Sequence, residues 1–411
     1  MKHAFVTGAA GCGKTYQVRE RLRANPKWGL LTATTGIAAR NLGDGVPTVH
    51  SALGFFDLPS LRKLSESRCL LDNMQSIADR YERLVIDECS MLLRESLDII
   101  FEAAEQAQLS LVLVGDFLQL PPVIQGDMPK PWWAFQANCW PTFAQNTIWL
   151  TKNHRQDNSA FLAGLNFLRE GKGGPAKQVF KACGVHFTSQ IDYKFPGTTI
   201  VATNKVREEF NKRLYNAIYE PELTFRTMRW GKQRKEWYDI PDSVSLKTGT
   251  RVMITKNAYG DQGLYYANGD CGQVVDLGER SVTVYRERDG VMLDVVRADV
   301  DDSEIIGYET RQKDGKRAAI RTQATGGVTY LPLTPAWAIT VHKSQGLTLD
   351  SVQVNLPEGF YGSPAMVYTA CSRCRTPEQL VLVGGDNWLI PRSRIDGNVM
   401  QWMQEATRRR A

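Results

Sequence analysis

With 411 residues, the chain is long enough for two or three domains, because single hydrophobic cores rarely grow past about 250–300 residues. A hydrophobic fraction of 43% and a charged fraction of 23% are those of an ordinary globular protein. No apolar run approaches the roughly 18–20 residues of a bilayer span, and Met1-Lys2-His3-Ala4-Phe5-Val6 runs into a strand rather than a leader. Neither a membrane span nor a signal peptide is therefore expected, and the expectation is a cytoplasmic protein of a bacterial or phage-infected cell. The net charge of +6 permits a polyanionic partner without requiring one. Of the 8 cysteines, only Cys371 and Cys374 share a C-x-x-C spacing. With no second ligand pair for zinc and no βαβ context for redox work, the cysteines read as small buried hydrophobes.

Ala4-Phe5-Val6-Thr7 predicts a short buried strand, followed by Gly8-Ala9-Ala10-Gly11-Cys12-Gly13-Lys14-Thr15 and a helix to about Leu22. This is G-x-x-x-x-G-K-[ST] in a strand–loop–helix setting. Gly8, Gly11 and Gly13 let backbone N–H groups turn onto phosphate oxygens, and the helix N-terminus adds a favourable dipole. Lys14 would bridge the β and γ phosphates of ATP, and the Thr15 hydroxyl would bind Mg2+. Next, Leu84-Val85-Ile86-Asp87-Glu88 is an apolar strand ending in two carboxylates, where α/β sheets present their chemistry. Asp87 suits a magnesium ligand and Glu88 suits the orientation or deprotonation of an attacking water. A third strand, Leu111-Val112-Leu113-Val114-Gly115, leads to Asp116 and to Gln119-Leu120-Pro121-Pro122. Gln119 can report loss of the γ-phosphate, and the proline pair stiffens the loop.

These stretches resemble motifs I, II and III of superfamily 1 helicases. Ala33-Thr34-Thr35-Gly36-Ile37-Ala38-Ala39 resembles motif Ia, and Thr48-Val49-His50-Ser51 has the form typical of the 5′-to-3′ group containing RecD and Dda. Further on, Leu150-Thr151-Lys152-Asn153-His154-Arg155-Gln156 resembles motif IV, and Thr199-Ile200-Val201-Ala202-Thr203-Asn204 the strand and turn after it. Trp337 to Thr348, with Thr340-Val341-His342-Lys343-Ser344-Gln345-Gly346, resembles motif V, and Val367 to Cys374 resembles motif VI. The resemblance covers both ends of the chain in the family's order. It implies an α/β fold of two RecA-like P-loop domains with a small SH3-like β-barrel inserted in the second. The expected boundaries are 1–148 for the first domain, with a strand-splitting insertion at about 54–82. The second is expected at 149–219 plus 332–411, with the insert at 220–331.

By the same resemblance, the nucleotide site comprises Gly8, Gly11, Gly13, Lys14, Thr15, Asp87, Gln119, Arg155, Gly346 and Arg373, with Glu88 acting on the water. Arg155 would reach the γ-phosphate and Arg373 would serve as an arginine finger. Thr34, Thr35, His50, Pro122, Thr340, His342 and Lys343 fall where the family contacts the strand, and none of them reads base edges, so sequence preference should be weak. The implied activity is an ATP-dependent DNA helicase moving 5′ to 3′ on single-stranded and forked duplex DNA. Its alternative is a translocase or protein-displacing motor without efficient unwinding, and RNA is the less favoured track. A monomer suffices, since one chain holds both halves of the site, and replication, recombination or repair proteins are the partners to expect. Kinase-like P-loop enzymes and nonhydrolysing subunits are disfavoured by the paired arginines, motif V and the intact Lys14, Asp87 and Glu88.

The middle of the chain changes character. Val244 to Ile254, Gly272 to Asp276 and Ser281 to Tyr285 predict short strands separated by turns, with Asn268-Gly269-Asp270 at a hairpin. Trp230, Trp237, Tyr265 and Tyr266 are candidates either to stack on bases or to pack a core. Phe55 and Phe56 are the aromatic candidates of the insertion, to split the duplex or to pack it down. Arg408-Arg409-Arg410 reads as a solvated, frayed end. About three residues precede the first strand, too few for the adenine-reading helix of many relatives, which leads us to expect weak discrimination of ATP from GTP.

Overall fold

The computed structural model describes residues 3–43, 46–122, 132–233, 237, 240–260, 263–266, 268–310, 318–356, 365–384, 389 and 395–410. By its contacts the chain falls into two compact units, Met1–Glu208 with Ala338–Ala411, and Glu209–Trp337.

The first unit holds two parallel five-stranded sheets, each the centre of a lobe. In the first lobe the strand order is Leu30–Ala33, Arg83–Asp87, Ser110–Gly115, Ala4–Gly8, Thr147–Leu150. The central strands read as unbroken apolar runs because helices cover both faces, and Leu84, Val85 and Ile86 are fully buried. Register aligns their C-terminal ends: Ala33 pairs with Asp87, Thr7 with Gly115, and Gly8 with Leu150. The loops that follow all five strands therefore leave one edge, the edge at which parallel sheets carry ligands. Thr147–Leu150 completes this sheet, so the first lobe reaches past the expected end at 148.

The insertion forms two helices, Leu58–Glu66 and Cys69–Ala78. Asp57 caps the first in a reciprocal box with Ser60. Leu61, Leu70 and Met74 sink into the same core as Leu84 and Leu97. Phe55 is buried beside His50, with ring centroids 4.5 Å apart, whereas Phe56 is 60% exposed. One phenylalanine thus packs the insertion down and the other faces solvent.

In the second lobe the order is Ala338–Thr340, Thr198–Val201, Val352–Asn355, Leu380–Val383, His186–Thr188, again all parallel. The C-terminal helix Gly397–Arg410, expected with 332–411 in the second lobe, buries residues in the core of the first. Val399 and Trp402 join the core of the first lobe, where Trp402 meets Phe117 and Phe135 at centroid distances of 5.0 and 5.5 Å. The apolar residues of one helical face bury against an aromatic cluster, and the backbone is helical through Arg410.

The second unit is antiparallel. Its main sheet runs Met292–Val296, Ser281–Arg286, Cys271–Leu277, Arg251–Ile254, Leu333–Pro335. Alternating burial along Ser281–Arg286 and Met292–Val296 marks one inner face, and Val252, Val274, Val282, Val284 and Leu293 fill it. The run expected from Val244 to Ile254 is broken, because Gly249 adopts a φ of +88° and turns Ser243–Lys247 away to pair with Glu222–Arg226. A long ribbon, Ala298–Thr310 with Ala318–Tyr330, has no counterpart in the sequence-based expectation. Trp237 and Tyr266 are buried, while Trp230 and Tyr265 are partly exposed. All 8 cysteines are free thiols, and Cys371 and Cys374 are buried. Among the described residues, no helix is long and apolar enough to cross a membrane.

Candidate active site

The loop Gly8–Gly13 leaves the end of its strand and turns into the helix Lys14–Ala24. Gly11 and Gly13 hold φ values of +80° and +78°, a region that costs other residues about 1–2 kcal/mol. A Cβ on Gly11 would also lie 2.7 Å from the Cβ of Arg155. Lys14 Nζ folds back to donate to the carbonyls of Gly8 and Ala9 at 2.9 and 3.0 Å. Three groups from beyond residue 150 grip the loop. Asn153 Nδ2 donates to Ala10 O at 2.9 Å, the His154 amide donates to Gly11 O at 2.8 Å, and Tyr368 Oη accepts from the Ala10 amide at 2.8 Å.

The paired carboxylates sit at the next strand end. Asp87 Oδ2 accepts from the Thr15 hydroxyl at 2.8 Å, and Oδ1 accepts from the Glu88 amide at 2.7 Å. Glu88 has φ 54° and ψ 39°, left-handed backbone that a side chain-bearing residue keeps only when its surroundings hold it. They do so from two sides. Its carbonyl accepts from the Thr34 hydroxyl at 2.9 Å, and its carboxylate accepts from Gln345 Nε2 at 2.9 Å. Burial pushes both carboxyls above their ordinary values, and for Glu88 the neighbouring Asp87 adds to it, with Lys14 offsetting part of the rise.

Two guanidinium groups face them. Arg155 Nη1 donates to Ser372 O at 2.9 Å. Arg373, only 2% exposed, donates from Nε to Thr369 O at 2.8 Å and from Nη2 to Gln119 Oε1 at 3.1 Å. Burial lowers the pKa of both, and for Arg155 the Arg373 charge lowers it further. Both keep their charge, because a guanidinium is not deprotonated in proteins. The result is a cleft of about 410 Å³ lined by Lys14, Thr15, Asp87, Glu88, Gln119, Arg155, Gly346 and Arg373. Arg19 and Arg375 stand at its border. A cleft holding crowded, poorly solvated cations beside loop amides is suited to a polyphosphate.

The residues expected at the nucleotide thus come together, with Gly8 just outside the lining, at the strand end. The set expected at the strand of nucleic acid lies elsewhere, at ends of both sheets. Thr34 and Thr35 follow Leu30–Ala33, Thr340 ends Ala338–Thr340, and His342 and Lys343 follow it. The Thr35 and Thr340 hydroxyls accept from the amides of Ala38 and Lys343 at 3.1 and 3.3 Å, which leaves their own protons to donate. The Thr34 proton is already committed to Glu88 O. His342 has its pKa lowered by burial and stays neutral. Pro122 is buried, and His50 is half-buried against Phe55. Asn153, Gln345 and Tyr368 are not among the residues expected at the site, although all three lie inside its motifs. Their signal is position within a motif, and only the fold shows which atoms they touch.

A family model described as PIF1-like helicase matches residues 1–163. Over 420 residues the chain is 30% identical to the ATP-dependent DNA helicase Pif1 of Bdellovibrio bacteriovorus, covering 98% of this chain and 88% of that protein. It spans 62% of the human relative. The fold matches a crystal structure of Bacteroides sp. Pif1 in complex with ADP-AlF4 at a TM-score of 0.76 and 26% identity, over 99% of this chain and 94% of that one. It also matches Bacteroides Pif1 in complex with ADP-AlF3 and ssDNA at a TM-score of 0.63 and 25% identity, over 99% and 94% of the two chains. With the two-sheet fold and the cleft between strand ends already in place, these similarities fix the assignment: the chain belongs to the PIF1-like helicase family.

Proposed function

We propose that the chain is an ATP-dependent DNA helicase that hydrolyses ATP in the Lys14–Arg373 cleft and moves 5′ to 3′ along single-stranded DNA, opening forked duplex as it goes. The observation that carries this reading is convergence. Lys14, Glu88 and Gln119 come from one parallel sheet, Arg373 and Gln345 come from the lobe of the other, and they meet across contacts of 2.9 and 3.1 Å. Hydrolysis that needs both lobes can drive their relative movement.

In this reading Lys14 leaves the Gly8 and Ala9 carbonyls to hold the β and γ phosphates. Glu88 orients the attacking water and accepts its proton, while Arg155 and Arg373 offset the charge spreading over the γ-phosphoryl oxygens. Gln119 reads the γ-phosphate while bonded to Arg373, and Gly346 borders the nucleotide. The chemistry of the Thr15–Asp87 pair fits Mg2+, because a hydroxyl and a buried carboxylate 2.8 Å apart are hard oxygen donors whose burial favours a cation. When bound there, the ion would neutralise phosphate charge. Thr35, Thr340 and Lys343 supply donors and charge for DNA phosphates, and His50, Pro122 and His342 shape the track. Thr34 links that track to Glu88 through its hydroxyl. We assign 1–150 with the helix Gly397–Arg410 to a first RecA-like domain, 151–208 with 338–396 to a second, and the second unit to an SH3-like insert.

The test is ATP hydrolysis with and without single-stranded DNA, beside a Lys14→Ala control. Forked substrates with one 5′ or one 3′ tail then read polarity. Stimulation without unwinding of either fork would favour the translocase reading.

A further inference from the structure

The turn that carries Gln119 is held by a second, separate tie. Arg169 ends the helix Ser159–Arg169 of the second lobe. Its guanidinium forks onto Asp116 of the first lobe, with Nη2 donating to Oδ1 at 2.9 Å and Nε donating to Oδ2 at 3.3 Å. Asp116 is completely buried and the Arg169 side chain is 16% exposed. The same Oδ1 accepts from the Leu118 amide at 3.2 Å, and the Gln119 amide donates to Asp116 O at 2.9 Å. Asp116 therefore closes the turn that aims Gln119 at Arg373.

The path closes on itself. Arg169 holds Asp116, Asp116 shapes the turn, the turn presents Gln119, and Gln119 meets Arg373. Arg373 follows the helix Ala365–Cys371, which packs against Ser159–Arg169. Phe161, Leu165 and Leu168 are buried along that second helix, so Arg169 stands on a rigid support. Burial alone would push the Asp116 carboxyl up, but Arg169, helped by Lys14, more than reverses it and keeps the pair ionised. A buried ion pair contributes little net stability compared with a well-packed apolar pair. What a two-pronged pair does supply is direction, because the planar fork fixes the carboxylate plane.

We propose that Arg169 is a positioning residue for ATP hydrolysis, setting the Asp116–Gln119 turn so that Gln119 and Arg373 meet at the γ-phosphate. This rests on the ATP-driven reading above.

The experiment compares wild type, Arg169→Lys, Arg169→Gln and the double variant Asp116→Asn with Arg169→Gln, all in the full chain. Thermal melting, kcat and KM for ATP are measured with saturating single-stranded DNA. Arg169→Lys keeps the charge but loses the fork. It should melt close to wild type while kcat falls about tenfold to a hundredfold, the scale of a displaced catalytic group. KM for ATP should stay within about twofold, since ground-state binding is untouched. Arg169→Gln strands a buried carboxylate and should be the slowest, and the double variant, which pairs two neutral amides, should recover much of the lost kcat. Wild-type kcat in Arg169→Lys would overturn the proposal, as would a double variant no faster than Arg169→Gln. If the wild type itself shows no DNA-stimulated hydrolysis, the motor reading falls and takes this proposal with it. If it does and the Arg169 variants match it, only the positioning role falls.

Discussion

Replacing Glu88 with glutamine should move activity and stability in opposite directions. The side chain keeps its size, and the new amide oxygen can still accept from Gln345 Nε2, now 2.9 Å from the carboxylate. The left-handed backbone is held by the main-chain carbonyl and amide, which bond to Thr34 and Asp87, so the substitution leaves those supports in place. Loss of a general base costs about 10²–10⁴ in rate, and kcat with saturating DNA should fall by that factor at little change in KM. Stability without nucleotide or metal should rise. The Glu88 carboxyl is raised above its ordinary value of 4.5 by burial and by Asp87, so the folded chain binds a proton more tightly than the unfolded one. Wild-type stability is therefore greatest below the unfolded value and declines as pH rises through the folded one, while glutamine does not titrate. Each tenfold difference in proton affinity is worth about 1.4 kcal/mol. Melting curves in chelator should show Glu88→Gln above wild type at pH 8, with the gap closing toward pH 4. A variant that is less stable at pH 8, or that hydrolyses ATP within about threefold of wild type, well short of the loss a general base implies, would refute this account of Glu88.

Other outcomes follow from particular contacts. Gly11→Ala should lose most ATP hydrolysis, because its Cβ would meet Arg155 at 2.7 Å and its φ of +80° resists a side chain; nucleotide titration should show weakened binding as well. Trp402→Ala should cost about 3–5 kcal/mol, because the ring is packed on Phe117 and Phe135. Denaturant melts of wild type and variant check this. Phe56→Ala should leave stability within about 0.5 kcal/mol, as for an exposed surface position. Fork-unwinding rate against ATPase rate then shows whether this 60% exposed ring acts on the duplex, with a fall in the first alone as the expected result.

What could be seen in the sequence was local. Continuous apolar strands ending in Gly8, Asp87 and Gly115 announce a parallel sheet and its ligand edge; Arg155 and Arg373 were expected at the site of Lys14 and Thr15 only through the resemblance to superfamily 1 motifs, and all four line one cleft. What stayed hidden was pairing between distant segments. Asp116 and Arg169 lie 53 positions apart, and Glu88 and Gln345 lie 257 apart; neither bond leaves a periodic trace. The burial of Trp402 against Phe117 and Phe135 was not legible, because the residue carries no sequence mark for its partners. The ribbon Ala298–Thr310 and Ala318–Tyr330 escaped because charged and polar residues interrupt the apolar alternation that signals a half-buried strand.

The measurement that bears most directly on the central claim is steady-state ATP hydrolysis by the full chain, with and without single-stranded DNA, beside Lys14→Ala. Strong stimulation by DNA that disappears in the variant, followed by opening of a fork with a 5′ tail and not one with a 3′ tail, is the predicted result. Hydrolysis indifferent to DNA, or surviving in Lys14→Ala, would contradict it.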